Sequence, residues 1–220
     1  MKPITMKRFF LCISFLFSVT LHAQANPDNY WNVVKERADK IVKQLSIKDA
    51  EKSALVATLI AQEYIDIKKL DEEKDEAIKV LKASSDATAT IETALKNINI
   101  KSEENRDALN KKFIGVLGTH LSNRQIESVK NGMTYNVFPN TYKAYQEMIP
   151  QLKRKEKKYI YSALNEAREH AMAAGSSDAK HAWFGKYKGR INNYLSTRGY
   201  DMNKEGKAWQ ERIKANQKNQ

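Results

Sequence analysis

From Asn26 to Asn110 apolar residues return at three- and four-residue steps, the spacing of an amphipathic helix. This half has no glycine, and its only proline is Pro27 at the entrance. Asp28 is placed to cap a helix carrying Trp31, Val34, Ala38, Ile41 and Leu45. A long second helix is expected from Ser46 or Asp49, with Leu55, Leu59, Ile60, Ile67, Leu70, Ile78 and Leu81 as its apolar stripe. The charge run from Asp71 to Glu76 reads as its solvated face. Ser84, Ser85 and Asp86 interrupt the pattern. A weaker helix then holds Ile91, Leu95 and Ile98, and Ser102 opens another through Leu109, Phe113 and Leu117.

Beyond Asn110 the pattern stays helical, but more breakers punctuate it. A short helix is expected from Leu121-Ser122 to Gly132 and a loop over Met133 to Pro139. A second short helix from Thr141 to Ile149 stops at Pro150. A longer one from Lys153 to Ala174 turns Ile160, Leu164, Ala167 and Ala171 inward. After Gly175, Ser177 is placed to cap a helix that runs to Arg198 and stops at Gly199. Asp201 or Asn203 starts the last helix, with Trp209 and Ile213, and a polar tail frays over 216–220. The expected fold class is all-α, a bundle of seven or eight helices in one domain over 26–215. Its scaffold half is 26–110 and its second half 111–215. Leu45-Ser46, Leu121-Ser122 and Leu152-Lys153 form a faint echo, read as shared capping chemistry rather than duplication.

Composition adds a compartment. Residues 1–25 have the build of a secretory leader: Lys2, Lys7 and Arg8, then thirteen apolar-rich residues from Phe9 to Leu21, then a small-residue exit at Ala23 or Ala25. The apolar run is too short to cross a bilayer, and no later run is longer. The one cysteine, Cys12, lies inside the leader without the small neighbour that a lipid attachment needs. Removal of the leader leaves no thiol for disulfides, catalysis or metal. The expectation is a periplasmic or secreted protein with no membrane span, no cofactor and no metal.

Charge and residue type separate the two halves. Residues 26–110 hold 14 basic and 17 acidic side chains; residues 111–220 hold 21 and 9. All eight glycines lie at or after Gly115, and thirteen of the sixteen aromatics beyond the leader follow Asn110. A cationic half concentrates anionic partners, and outside the cytoplasm those are acidic glycans, lipid headgroups or acidic proteins rather than nucleic acid.

The densest chemistry is Lys180 to Arg190. On a helix, Trp183, Tyr187, Arg190, Tyr194 and Arg198 form one row, with the apolar Phe184, Ile191 and Leu195 beside it. Gly185 and Gly189 share a face, and each costs roughly 1 kcal/mol against alanine. One reading is close packing of a neighbouring helix with Trp183 and Phe184 in the core; another makes 185–189 a turn. The functional reading is a groove floored by glycine and walled by rings and cations. Sugar rings lie on aromatic faces, and their hydroxyls and carboxylates seek donors. His181, Trp183, Lys186, Tyr187, Arg190, Asn193 and Tyr194 are therefore the candidate ligand-binding residues, with Lys188 and Asn192 beside them.

Catalysis is weakly marked. No serine has an elbow motif, and no carboxylate pair stands apart. Glu166 and His170 are spaced for a helical metal pair, but no second pair completes it. One enzyme class stays open: proton abstraction beside a uronate carboxylate, for which His181, Tyr187 and Arg190 have suitable side chains. Binding without turnover is the favoured expectation.

The segments Asn131–Tyr135, Glu166–Met172, Lys180–Leu195 and Gly199–Asp201 resemble a domain-of-unknown-function family, number 3826. The resemblance extends from about Tyr30 to Lys214. It implies a secreted protein of glycan-degrading Gram-negative bacteria, in a family to which sugar binding is ascribed without a defined reaction. It supports a carbohydrate partner, an acidic polysaccharide or its fragments, and transfers no site residues. Leu121-Ser122-Asn123-Arg124-Gln125 is similar to a motif of small periplasmic helical chaperones, which makes a chaperone or adaptor a further alternative.

Overall fold

A computed structural model describes residues 27–84 and 88–218. The leader read over 1–25, with Cys12, lies outside them, as do Ser85 and Asp86 of the expected interruption. Eight α-helices and no strand occur among the described residues: α1 Pro27–Lys43, α2 Ala50–Ala83, α3 Thr88–Gly118, α4 Asn123–Met133, α5 Val137–Met148, α6 Arg154–Met172, α7 Ser177–Thr197 and α8 Met202–Lys218.

Local chemistry sets most of the starts. The Asp49 side chain accepts from Lys52 N–H, which makes Asp49 rather than Ser46 the start of α2. Ser122 and Gln125 form a reciprocal capping box on α4. Lys153 N–H donates to Glu156 Oε2 at 2.9 Å to open α6. Asp201 Oδ1 accepts from Asn203 and Lys204 N–H to open α8.

Several boundaries differ from the sequence expectation, each for an identifiable reason. α1 begins at Pro27, before Asp28, because proline is tolerated in a first turn. For the same reason α5 begins at Val137 and carries Pro139 in its first turn, so only Thr134 to Asn136 remain as a connection. Ser102 does not open a helix: it lies inside the single helix α3, buried, and its hydroxyl accepts from Arg106 Nε. Ser176, not Ser177, caps α7. The stripe of α2 holds except at its start: Ile60 and Ile67 are buried and Leu59, Leu70, Ile78 and Leu81 half-buried, whereas Leu55 is exposed and Val56, Ala57 and Ala61 are buried instead. α8 is helical past Asn216 to Lys218.

Two apolar clusters hold the helices. The first joins α1, α2, the end of α3 and α4 around Val34, Ile41, Ile60, Leu117, Val129 and Met133. The second joins α5, α6 and α7 around Tyr145, Ile160, Leu164, Phe184, Ile191 and Leu195. Each side chain of this size stabilises by about 1.5–3 kcal/mol on burial. Met172 of α6 belongs to the first cluster and links them.

The seam between the clusters is polar. Arg168 is buried and donates to Asn131 and Glu127 at 2.7 Å and to Asn165 at 2.8 Å. Lys130 reaches Glu169 at 3.0 Å. Lys180 is buried and donates to the carbonyls of Ala171 and Met172, closing the C-terminus of α6. Arg106 pairs with Asp71 and donates to Ala173 O at 2.9 Å. A side chain at Gly175 would meet the Asp71 carboxylate, so the α6–α7 turn lies directly against that ion pair and any larger residue there must push Asp71 aside.

Past Ile67 of α2 and before Ser102 of α3 no residue is fully buried among those described. The outer parts of these helices form an arm of two helices, with Val80 and Ile100 exposed.

Candidate functional site

α7 is one unbroken helix through both glycines, so 185–189 is not a turn. Its buried face is Lys180, Phe184, Tyr187, Ile191 and Leu195. A Cβ at Gly185 or Gly189 would meet nothing within 4 Å. The two glycines therefore look into open solvent. Among the described residues no helix packs into the gap and no aromatic wall rises beside it. Both expectations for the glycines, close helix packing and a groove floor, are corrected by the rotation of the helix: its core side lies opposite them.

The aromatic row exists and faces α6. The Trp183 indole is half-buried and stacks on His170, with ring centroids 4.3 Å apart and planes 14° from parallel. Lys186 Nζ lies 4.8 Å from the indole centre. Tyr187 is buried, and its hydroxyl donates to Glu166 Oε1 at 2.6 Å. The Arg190 guanidinium lies 4.5 Å from the Tyr187 ring centre and covers it. Tyr194 stacks on Tyr159 of α6 at 3.8 Å. Five of the seven candidate residues thus share one edge of the α6–α7 hairpin. Arg198, the last member of the row, turns instead to Glu156. Trp183 to Tyr194 spans about 16 Å of helix.

His181 and Asn193 lie elsewhere. His181 is exposed and stacks on Tyr135, centroids 5.5 Å apart, at the α4–α5 connection. Tyr135 and Asn136 there hold left-handed backbone, with φ of 57° and 55°, uncommon for a residue as bulky as tyrosine. His181 precedes Tyr187 by six residues, which sets them about 120° apart around the helix and roughly 9 Å along it. The trio His181, Tyr187 and Arg190 is therefore not assembled. Burial, and then the hydrogen bond to Glu166, raise the Tyr187 hydroxyl above its ordinary value, so it keeps its proton rather than serving as a base. Asn193 is exposed.

At its Trp183 end the edge opens into a cleft of about 290 Å³ between the α6–α7 turn and the base of the arm. Lys74, Glu103, Arg106, Asp107, His170 and Trp183 are among its walls. The sequence placed none of the arm residues here, because the contact joins segments more than sixty residues apart. Glu166 and His170, spaced for a metal pair, are occupied with Tyr187 and Trp183. No group of three or more metal-ligating side chains occurs among the described residues. No helix among them is long and apolar enough to cross a membrane.

Compared with known families, residues 31–215 match the model described as "Protein of unknown function (DUF3826)". No curated protein matches the chain.

Proposed function

The chain belongs to the DUF3826 family, whose description assigns no activity, and from that premise we propose that it is a periplasmic or secreted carbohydrate-binding protein. The ligand is an acidic polysaccharide or its oligosaccharides, laid along the α6–α7 edge. The observation that carries the reading is the half-buried Trp183 indole, stacked on His170 with the ammonium of the exposed, displaceable Lys186 over its ring, and continued by Arg190 to the Tyr159–Tyr194 stack. An indole held by a second ring presents a preformed flat surface, which lowers the ordering cost of binding. A pyranose C–H face lies on such a ring, and the adjacent cations suit the carboxylate of an acidic sugar. The leader pattern of residues 1–25 supports the compartment.

Calorimetry against a panel of neutral and acidic oligosaccharides tests the proposal. Trp183→Ala is expected to weaken binding about tenfold, the loss of roughly 1.4 kcal/mol of stacking. Arg190→Ala is expected to reduce binding of the acidic members selectively, and the difference should shrink with added salt. Failure of every glycan to bind, or equal binding by wild type and both folded variants, would overturn it.

A further inference from the structure

We propose that the groove between α5, α7 and α8 is a second carbohydrate site, built for a sugar unit that carries one negative charge. The groove has a volume of about 580 Å³, within the range of small-ligand pockets. It lies on the flank of α7 away from the Trp183 edge: Lys188 and Asn192 sit about 140° and 180° around the helix from Trp183. α8 forms the opposite wall. Arg212 ties it to α5 by donating to the carbonyls of Glu147 and Met148, and Gln151 donates to Glu205 near its start. These contacts fasten α8 to the C-terminal end of α5.

The lining combines an apolar surface with several carboxamides. Met148, Met202 and the half-buried Trp209 supply the apolar part. Asn140, Asn192 and Asn203 each carry a donor and an acceptor. The Asn192 amide is held by Tyr145 O–H, which donates to its Oδ1 at 2.7 Å and leaves its NH₂ group uncommitted among the described residues. Burial pushes the Tyr145 hydroxyl up to about 12, so this donor persists at all ordinary pH. Donor–acceptor pairs beside an indole match a ring of hydroxyls with one apolar face. Lys188 is the only charged group of the lining, and among the described residues it pairs with no carboxylate. The 290 Å³ cleft differs, since Asp71, Glu103 and Asp107 line it together with its cations. A lone ammonium in a lining without carboxylates favours a single carboxylate on the sugar.

The inference takes its ligand class from the carbohydrate reading but not its location. The three indole N–H resonances of the intact chain, from Trp31, Trp183 and Trp209, are assigned by single Trp→Phe substitutions and followed by NMR. Trigalacturonate and the neutral galactotriose are the probes. Trp209 is expected to shift with trigalacturonate at an affinity at least tenfold above that for galactotriose. Trp183→Phe should leave that shift in place, and Lys188→Gln should abolish the preference for the acidic probe. A stationary Trp209 beside a responding Trp183 would remove this site and leave the α6–α7 edge. Immobility of all three indoles would remove both. Equal response of Trp209 to both probes, or a preference unchanged in Lys188→Gln, would overturn the anionic ligand.

Discussion

At Arg168 a guanidinium is enclosed by protein, with Glu127, Asn131 and Asn165 in hydrogen-bond contact and the Phe138 ring centre 4.9 Å away. Its Nε has no partner. A buried charge of this kind holds α4 to α6 by geometry rather than by net attraction. Arg168→Leu removes the hydrogen bonds to Glu127, Asn131 and Asn165 and is expected to lower unfolding stability by about 1–3 kcal/mol, measured by urea titration. Glu63 is the converse case. It is buried on α2, one carboxylate oxygen lacks a partner, and burial, with Asp66 nearby, pushes its carboxyl up to about 8. The folded state therefore binds a proton that the unfolded state has released between about pH 4.5 and 8, so stability falls as pH rises through that window. Burial lowers Lys180 to about 8, which places its compensating gain above that window. Glu63→Gln is expected to remove a loss on the order of 2–3 kcal/mol between pH 5 and 8, read from melting curves at matched ionic strength.

Helix α7 carries a cost at Gly185 and Gly189 that no contact among the described residues offsets, since a methyl group there meets open space. Gly185→Ala and Gly189→Ala are each expected to raise stability by roughly 1 kcal/mol, seen as additive increases in Tm. Gly175→Ala should do the reverse, by up to about 1 kcal/mol, because it displaces the Asp71 carboxylate from Arg106. These opposite signs could not be read from the chain. Spacing along a helix reveals which residues share a face, but not which face meets a neighbour. The apolar row Phe184, Ile191 and Leu195 was legible because burial follows hydrophobicity directly. Among the caps, Ser122 was legible outright and Asp49 and Asp201 each as one of two starts, because a cap is decided within four residues. The partners His170, Tyr159 and Arg106 were not, since their contacts depend on how the α6–α7 hairpin closes and where the arm crosses it. The stripe of α2 was legible at Ile60 and Ile67, and only Leu55 was assigned to the wrong face.

For the whole molecule the two apolar clusters and the arm differ in how much structure guards them. No residue between Ile67 and Ser102 is fully buried among those described, so opening the arm exposes little new apolar surface. Limited digestion with trypsin is expected to cut first at Lys79, Lys82 or Lys96, leaving a fragment from about Lys111 that persists longer. Early cutting within α6 or α7 would contradict this order. The arm runs roughly 24 Å beyond Ile67, and its root carries Lys74, Glu103 and Arg106, one jaw of the cleft whose other jaw is Trp183 on His170. A beam anchored at a mouth is also a handle on that mouth. A load on its outer end would act as a lever about Asp71 and Arg106, the contact beside which the two jaws meet.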